Sequence, residues 1–187
     1  MLTPASFLRV PWKNGGGVST TIASEGLPGA SPGDWAGTIW QLGRTHIVAP
    51  APFSDLTGFD RVQIVIGGSG LVLETPTGDI DLREPFQPAR YDGGLAIVSR
   101  LENGPVEVVN LIGRRDLVRI DMAMLEPGVE TTLPDSQHVV YAPLAAAYLR
   151  LDDEELDLAT DHALTVDRDA RLCAMSGVVI LASITRR

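Results

Sequence analysis

The sequence predicts an all-β protein built as a sandwich or a barrel. Short apolar runs are interrupted along the whole chain by Gly, Pro, Asn and Asp, which is the pattern of strands joined by turns. The implied strands are many, short and closely spaced, as in β-sandwiches and β-barrels. Helical patterning is weak. Residues 142–156 contain good helix formers, and we still expect a strand in the middle of that stretch.

Three segments of the first half are hairpin candidates. The first turns at residues 67–70 within RVQIVIGGSGLVLET, and the second turns at residues 76–79 within LVLETPTGDIDLR. The third contains Asn103-Gly104, a pair that favours the positive φ angles of a tight turn. Later strands are expected in runs such as HVVYAPLAAAYLRL and GVVILASITR. The dense hairpin series ends after Arg115, where we place a soft break.

Composition narrows the class of protein. The 187 residues suffice for one domain or two small ones, and the formal charge of −9 argues against nucleic acid or an anionic membrane as the main partner. The single cysteine, Cys173, lies in an apolar setting and suits a reducing compartment. We find neither a signal peptide nor an apolar run near the roughly 18 to 20 residues of a membrane span. A cytoplasmic protein is expected.

The stretch PWKNGGG holds the only lysine of the chain, Lys13. An ammonium differs from a guanidinium in being compact and in changing its pKa readily on burial. With Trp12 as an apolar wall and Asn14 as donor and acceptor, it could recognise a small anion such as a carboxylate. A chance surface lysine explains the residue equally well. The glycines that follow are either a flexible turn or a backbone that approaches a ligand closely.

The stretch PFSDLTGFDR raises a similar choice for Arg61. Its guanidinium either pairs with Asp60 or Asp55 at the entrance of a strand, or lies at the mouth of a barrel and grips a carboxylate. Phe53 and Phe59 flank the polar turn, and we expect both to pack into the core.

Other chemistries find little support in the sequence. The three histidines, His46, His138 and His162, are far apart and lack metal-site spacing, so we expect no metal. No nucleophile elbow or nucleotide-binding glycine motif occurs, so we assign neither a catalytic residue nor a cofactor. The acidic run at residues 151–172 is interpreted as a solvated face.

Several short motifs of the chain, including the two stretches around Lys13 and Arg61, resemble those of the HutD/Ves family of the cupin superfamily. The resemblance spans about residues 8–116 and is carried by WKNGGG at 12–17, by PFS at 52–54 with GFDR at 58–61, and by NLIGRR at 110–115. Where the family has a W-R-[IV]-S-x-A strand, this chain reads WQLGRT at 40–45. Gln41 therefore stands in place of the usual Arg, and Gly43 in place of the usual Ser. At position 41 a guanidinium that could bind a carboxylate through two hydrogen bonds is thus replaced by a neutral amide.

The resemblance implies a bicupin, one unit over residues 1–187 with two β-barrel or sandwich lobes at about 1–115 and 116–187. It implies a binding protein for a small organic anion, such as urocanate or a formylated amino acid derivative, that regulates histidine utilization or a related stress response. A homodimer is compatible with it, because cupin sheets often pair through their edges. The expected ligand-binding residues are Trp12, Lys13, Asn14, Gly15, Gly16, Gln41, Arg61 and Asn110.

Two alternatives to a binding protein remain at this point. One is a metal-independent isomerase or hydrolase that uses Lys13 as acid, base or amine nucleophile. The other is a protein–protein regulator whose pocket is vestigial.

Overall fold

Strands follow one another along nearly the whole chain in the structure, a computed structural model that describes residues 1–11, 17–31 and 33–187. The described residues form one turn of 3-10 helix at Pro4–Ser6 and seventeen strands in four sheets. Every strand pairing is antiparallel. The predicted all-β class is confirmed.

Nine strands make up the first lobe. They are β1 (Leu8–Pro11), β2 (Gly17–Gly26), β3 (Thr38–Ile47), β4 (Phe59–Gly67), β5 (Leu71–Glu74), β6 (Ile80–Leu82), β7 (Pro88–Asp92), β8 (Val98–Leu101) and β9 (Val106–Arg114). A six-stranded sheet has the order β1-β2-β3-β9-β4-β7, and a three-stranded sheet has the order β6-β5-β8.

Eight strands make up the second lobe. They are β10 (Val118–Leu125), β11 (Glu130–Leu133), β12 (Gln137–Tyr141), β13 (Ala147–Leu151), β14 (Glu154–Leu158), β15 (Ala163–Val166), β16 (Ala170–Ser176) and β17 (Val179–Arg186). They form two four-stranded sheets, β10-β17-β12-β15 and β11-β16-β13-β14. The arrangement is two sandwich lobes, as the bicupin prediction requires.

Three large apolar clusters hold these sheets together. One lies inside the first lobe and joins the two sheets there, with Ile47 and Leu71 among its members. A second fills the second lobe and includes Leu149 and Leu181. The largest lies between the lobes, where Leu42 and its neighbours pack against β10, β12 and β17. The central strands of the six-stranded sheet, β3, β9 and β4, are therefore buried along most of their length, which explains their long apolar runs.

Two of the three predicted hairpins are wrong. The turn at 76–79 does join paired strands, β5 and β6. By contrast β4 and β5, which flank residues 67–70, belong to different sheets, and so do β8 and β9 around Asn103-Gly104. At both places the chain turns but crosses from one layer of the sandwich to the other, because β4 and β9 pair with each other in the larger sheet.

Other local predictions can be compared directly with the structure. The middle of residues 142–156 is strand β13, as predicted. Cys173 is buried, and Phe59 is buried in a small cluster with Leu56 and Ile112. Phe53 is half-buried and packs against the first-lobe core. No helix in the described part of the chain is long and apolar enough to cross a bilayer.

Candidate functional site

The inner face of the six-stranded sheet carries polar side chains where a sandwich interior is normally apolar. Successive residues of a strand point to opposite faces. On β4, Val62 and Ile64 therefore join the cluster between the lobes, while Arg61 and Gln63 face the interior of the first lobe. On β9, Asn110 faces the same interior.

Strand register gathers these side chains into two adjacent rows. One row crosses β2, β3, β9 and β4 at Thr21, Gly43, Asn110 and Gln63. The next row crosses β3, β9, β4 and β7 at Gln41, Ile112, Arg61 and Tyr91. Residues far apart in sequence thus become neighbours, since side chains directly opposite each other lie about 5 Å apart.

A cavity of about 520 Å³ opens over these rows. Its floor includes the polar side chains of Gln41, Thr45, Arg61, Gln63 and Asn110. Apolar side chains surround the floor: Leu8, Val10, Trp35, Phe53, Leu56 and Ile112. We call it the first-lobe cavity. An apolar wall around a few converging polar groups is the usual form of a small-molecule site.

Arg61 is buried, with 5% of its surface exposed. Its Nη2 donates a hydrogen bond to the carbonyl oxygen of Ser54 at 2.7 Å, and its guanidinium carbon lies 5.6 Å from the centroid of the Phe53 ring. Arg61 forms no ion pair with a described residue, so the pairing with Asp60 or Asp55 considered from the sequence is wrong. Asp60 instead accepts a bond from Arg115 Nε at 2.7 Å. Asp55 accepts a bond from the Thr57 amide at 2.9 Å.

Gln63 is fully buried, and its Oε1 accepts a hydrogen bond from the Tyr91 hydroxyl. Burial raises the pKa of Tyr91 to about 12, and the nearby Arg61 guanidinium opposes that rise. Tyr91 is therefore neutral at physiological pH, and its hydroxyl can donate the hydrogen bond to Gln63.

Three buried polar atoms of the cavity residues have no hydrogen-bond partner among the residues described. They are Arg61 Nε, Gln63 Nε2 and Asn110 Oδ1. A buried polar group without a partner costs roughly 1 to 3 kcal/mol, so native proteins rarely retain one without a reason. All three atoms belong to residues that line the first-lobe cavity.

Of the site residues expected from the sequence, Gln41, Arg61 and Asn110 line the first-lobe cavity together. The other five, Trp12, Lys13, Asn14, Gly15 and Gly16, lie outside the described residues. The expected convergence of Lys13 with Arg61 remains a prediction. Pro11, which lines the cavity, precedes Lys13 by two residues in the chain.

Gln63 and Tyr91 were missed at the sequence level. A signal for Gln63 was present, because it is the one polar residue inside the apolar run VQIVI and follows Arg61 by two positions. Strand alternation would have placed it on the face of Arg61. Tyr91 carried no comparable signal, since its place beside Arg61 depends on the pairing of β4 with β7.

A second cavity, of about 400 Å³, lies where the N-terminal residues meet both lobes. It is lined by Leu2 and Trp40 from one side and by Gln137 and Val139 from the other, and Gln41 borders both cavities. The Trp40 indole is already hydrogen-bonded, donating to Glu25 Oε2 at 3.0 Å and to Gln137 Oε1 at 3.1 Å.

The histidines occupy unrelated positions. His138 is buried and bonds Ser183 Oγ and the Pro134 carbonyl oxygen, both at 2.9 Å. His46 is exposed, and His162 contacts the Thr160 carbonyl oxygen. Within residues 1–11, 17–31 and 33–187, no three His, Cys, Asp or Glu side chains are grouped so that they could hold a metal ion.

Comparison with known proteins identifies relatives over the whole chain. The HutD family model matches residues 5–181. The structure of HutD from Pseudomonas fluorescens SBW25, in a formate condition, superposes with a TM-score of 0.82 at 25% identity, covering 100% of this chain and 97% of that one. A conserved protein of unknown function from Pseudomonas aeruginosa PAO1 superposes with a TM-score of 0.83 at 22% identity, covering 98% and 97% of the two chains.

A relative known by sequence adds a genomic setting. It is an uncharacterized 21.2 kDa protein from the region 3′ of hutC in Pseudomonas putida, 29% identical over 115 residues. The match spans 60% of this chain and 56% of that protein, less than two thirds of either.

Proposed function

Because the chain belongs to the HutD family, we propose that it binds a small organic anion in the first-lobe cavity and thereby regulates a catabolic pathway in the cytoplasm. The observation that carries the proposal is the set of three buried polar atoms without a described partner, Arg61 Nε, Gln63 Nε2 and Asn110 Oδ1. Two of them are donors, and one of these belongs to a cation.

The charge of Arg61 favours an anion over a neutral ligand. A guanidinium that is 5% exposed and has no carboxylate partner among the described residues is costly to bury. A ligand carboxylate supplies the missing negative charge and can accept hydrogen bonds through both oxygens. The net charge of −9 does not attract anions, so affinity must come from this local geometry.

The apolar wall indicates that the ligand carries more than a carboxylate. Trp35, Phe53 and Ile112 offer apolar surface to a planar or aliphatic body. Urocanate and formylated amino acid derivatives have this combination of an acid with a compact body. The match to the HutD family and the relative located 3′ of hutC support acids of histidine catabolism as the first ligands to test.

We assign further contacts to residues that the structure leaves undescribed. Lys13 would provide a second positive charge, Trp12 a wall and Asn14 a polar contact, while the backbone of Gly15 and Gly16 would permit close approach. Gln41, at the border of the cavity, would add an amide contact. With two charge-assisted bonds and some apolar burial, an affinity in the micromolar range is expected.

Isothermal titration of urocanate and an N-formylated amino acid tests the proposal. Arg61→Met should weaken binding roughly tenfold to hundredfold, because a charge-assisted bond contributes about 1.5 to 3 kcal/mol. Lys13→Met should have a similar effect. Arg83→Met is the matched control, since Arg83 pairs with Asp81 at the surface, away from the cavity. Equal affinities of the wild type and Arg61→Met for every acid would contradict the proposal.

A further inference from the structure

We infer that Tyr91 fixes the orientation of the Gln63 amide and that Gln63, held in this way, makes the first-lobe cavity select a carboxylate over the corresponding carboxamide. The inference rests on the proposed function, because it concerns how the same cavity distinguishes among ligands. Tyr91 is a positioning residue in this scheme, and Gln63 is the residue that contacts the ligand.

The first step is the environment of the Tyr91 hydroxyl. Tyr91 lies on β7 directly opposite Arg61 on β4, and Gln63 follows two residues later on β4. Tyr91 and Gln63 are both buried, with 8% and 0% of their surfaces exposed. The hydroxyl bonds Gln63 Oε1.

The second step is the direction of the hydroxyl proton. Arg61 has only N–H groups, so it cannot accept a proton from Tyr91. The carbonyl oxygen of the Gln63 amide can, and it is the partner that the structure shows. If the amide turned over, its NH2 group would face the hydroxyl, and the tyrosine proton would lose this acceptor. Because the neighbouring Arg61 cannot accept its proton, the Tyr91 hydroxyl keeps the carbonyl group of Gln63 turned toward itself.

The third step is what remains for the ligand. Gln63 is one of the residues that line the cavity. With Oε1 occupied, the group it has left for a further hydrogen bond is Nε2, which has no partner among the described residues. Arg61, which also lines the cavity, has an Nε without a partner among the described residues. Gln63 Nε2 and Arg61 Nε are both hydrogen-bond donors, so these two groups offer a ligand donors only. A carboxylate presents only acceptors and can satisfy both, whereas a carboxamide has one oxygen and must turn its own NH2 away from them.

Asn110 behaves differently from Gln63. No bond to a described residue holds its Oδ1, and strand β4 separates it from Tyr91 on β7. Its contribution is the same with or without the Tyr91 hydroxyl and cancels when the carboxylate-to-carboxamide affinity ratio is compared between variants. That ratio therefore reports on Gln63 and Tyr91, whereas general damage to the site would weaken both ligands.

The experiment is a calorimetric titration of urocanate and its primary amide against the full-length protein and Tyr91→Phe. Without the hydroxyl, Gln63 can turn its carbonyl toward the cavity and accept from the carboxamide. The ratio of the urocanate affinity to the amide affinity should then fall about tenfold or more, partly through tighter binding of the amide. In a Gln63→Leu background, adding Tyr91→Phe should leave the ratio unchanged.

The possible outcomes distinguish failure of the anion site from failure of the positioning role of Tyr91. If Arg61→Met lowers urocanate affinity but Tyr91→Phe leaves the ratio at its wild-type value, the positioning role is overturned and the anion site stands. If the wild type binds neither urocanate nor an N-formylated amino acid, or Arg61→Met binds both acids as well as the wild type does, the anion site is overturned and the positioning role with it. Should Tyr91→Phe fail to fold, Gln63→Leu alone must lower the ratio, and an unchanged ratio would overturn the inference.

Discussion

Gln63 on β4 and Asn110 on β9 lie directly opposite each other in the sheet, yet Gln63 Nε2 and Asn110 Oδ1 have no hydrogen-bond partner among the described residues. A donor and an acceptor so placed would normally pair with each other or with a neighbour. Both residues line the first-lobe cavity, where the proposed ligand would supply the missing partners. Both belong to nine-residue strands in the middle of the six-stranded sheet, so a rigid part of the fold holds them in place.

The first prediction concerns charge in the first-lobe cavity. Asn110→Asp places a carboxylate on the row next to Arg61, where it attracts the guanidinium and repels an anionic ligand. We expect the affinity for urocanate to fall about tenfold or more at neutral pH. Isothermal titration measures the effect.

Asn103→Asp is the matched control for that substitution. Asn103 is exposed in the turn before β9, so the same chemical change adds a solvated charge outside the cavity. Its affinity should stay close to that of the wild type. Undiminished binding by Asn110→Asp would remove Asn110 from the ligand site.

The second prediction is the loss of stability in alkali. Burial raises the pKa of Tyr91 to about 12 from its ordinary value of 10.0. Between these values the unfolded chain has released the tyrosine proton and the folded chain has not, so the unfolded state gains stability as the pH rises. The contribution of Tyr91 is thus fully present below pH 10 and is lost toward pH 12, by roughly 2 to 3 kcal/mol.

Urea denaturation at several alkaline pH values tests this sign. Tyr91→Phe has no proton to release, so its free energy of unfolding should fall less steeply from pH 10 upward than that of the wild type. Tyr141, whose pKa is also raised, chiefly by burial, contributes equally to both proteins. Parallel curves for the two proteins would show that Tyr91 ionises as easily in the folded protein as in the unfolded chain.

The third prediction concerns the contact between the lobes. Arg44 on β3 donates from Nη1 to the Pro143 carbonyl oxygen at 3.1 Å, and its Nη2 lies 2.6 Å from Glu107 Oε2. Burial opposes its charge, but hydrogen bonds to Glu107 and Tyr141 leave the pKa of Arg44 raised. The Arg44 side chain is 24% exposed, so Arg44→Met should lower the free energy of unfolding by about 1 to 3 kcal/mol.

Arg90→Met is the comparison for Arg44→Met. Arg90 on β7 also reaches the second lobe, through an ion pair with Asp121, but the two side chains are 52% and 63% exposed. Exposed pairs contribute little, so the change should be below about 1 kcal/mol. Equal losses in the two variants would mean that burial does not set the strength of these contacts.

Features of this fold that depend on neighbouring residues in the chain can be predicted from the sequence, and features that depend on residues far apart in the chain cannot. Turns are local, so the breaks around residues 67–70 and at Asn103-Gly104 were found correctly. The partner of each strand is not local: β4 pairs with β9 and β7 across the sheet, while β5 joins a different layer. The residues of a turn predict that the chain reverses direction, but the packing of the whole sandwich determines which strands then pair.

The candidate site shows the same division. Arg61 could be singled out because a charged residue opens an apolar strand. That Gln63 belongs with it follows from strand alternation, but alternation alone does not say which face meets a cavity and which meets the other lobe. Here β4 has an apolar side chain on the inner face as well, at Val65, which joins the first-lobe core. The place of Tyr91 depends entirely on long-range pairing.

The last prediction compares two glycines in the turns that join the layers of the first lobe. Gly68 and Gly104 both have positive φ angles, of 94° and 85°. A Cβ at Gly104 would meet nothing within 4 Å, whereas a Cβ at Gly68 would lie 2.4 Å from the Pro105 carbonyl oxygen. Gly104→Ala thus adds only backbone strain, about 1 to 2 kcal/mol, and Gly68→Ala adds a backbone clash, about 3 kcal/mol or more in all.

Urea denaturation of both variants separates strain from crowding. The conformational penalty is common to the two positions, so the difference between their unfolding midpoints measures the clash. Because Pro105 belongs to the turn before β9, the clash would push that turn away from the end of β4, and Gly68→Ala should weaken the pairing that orients Gln63 and Asn110. Equal midpoints for the two variants would show that the turns do not pack as closely as the structure has them.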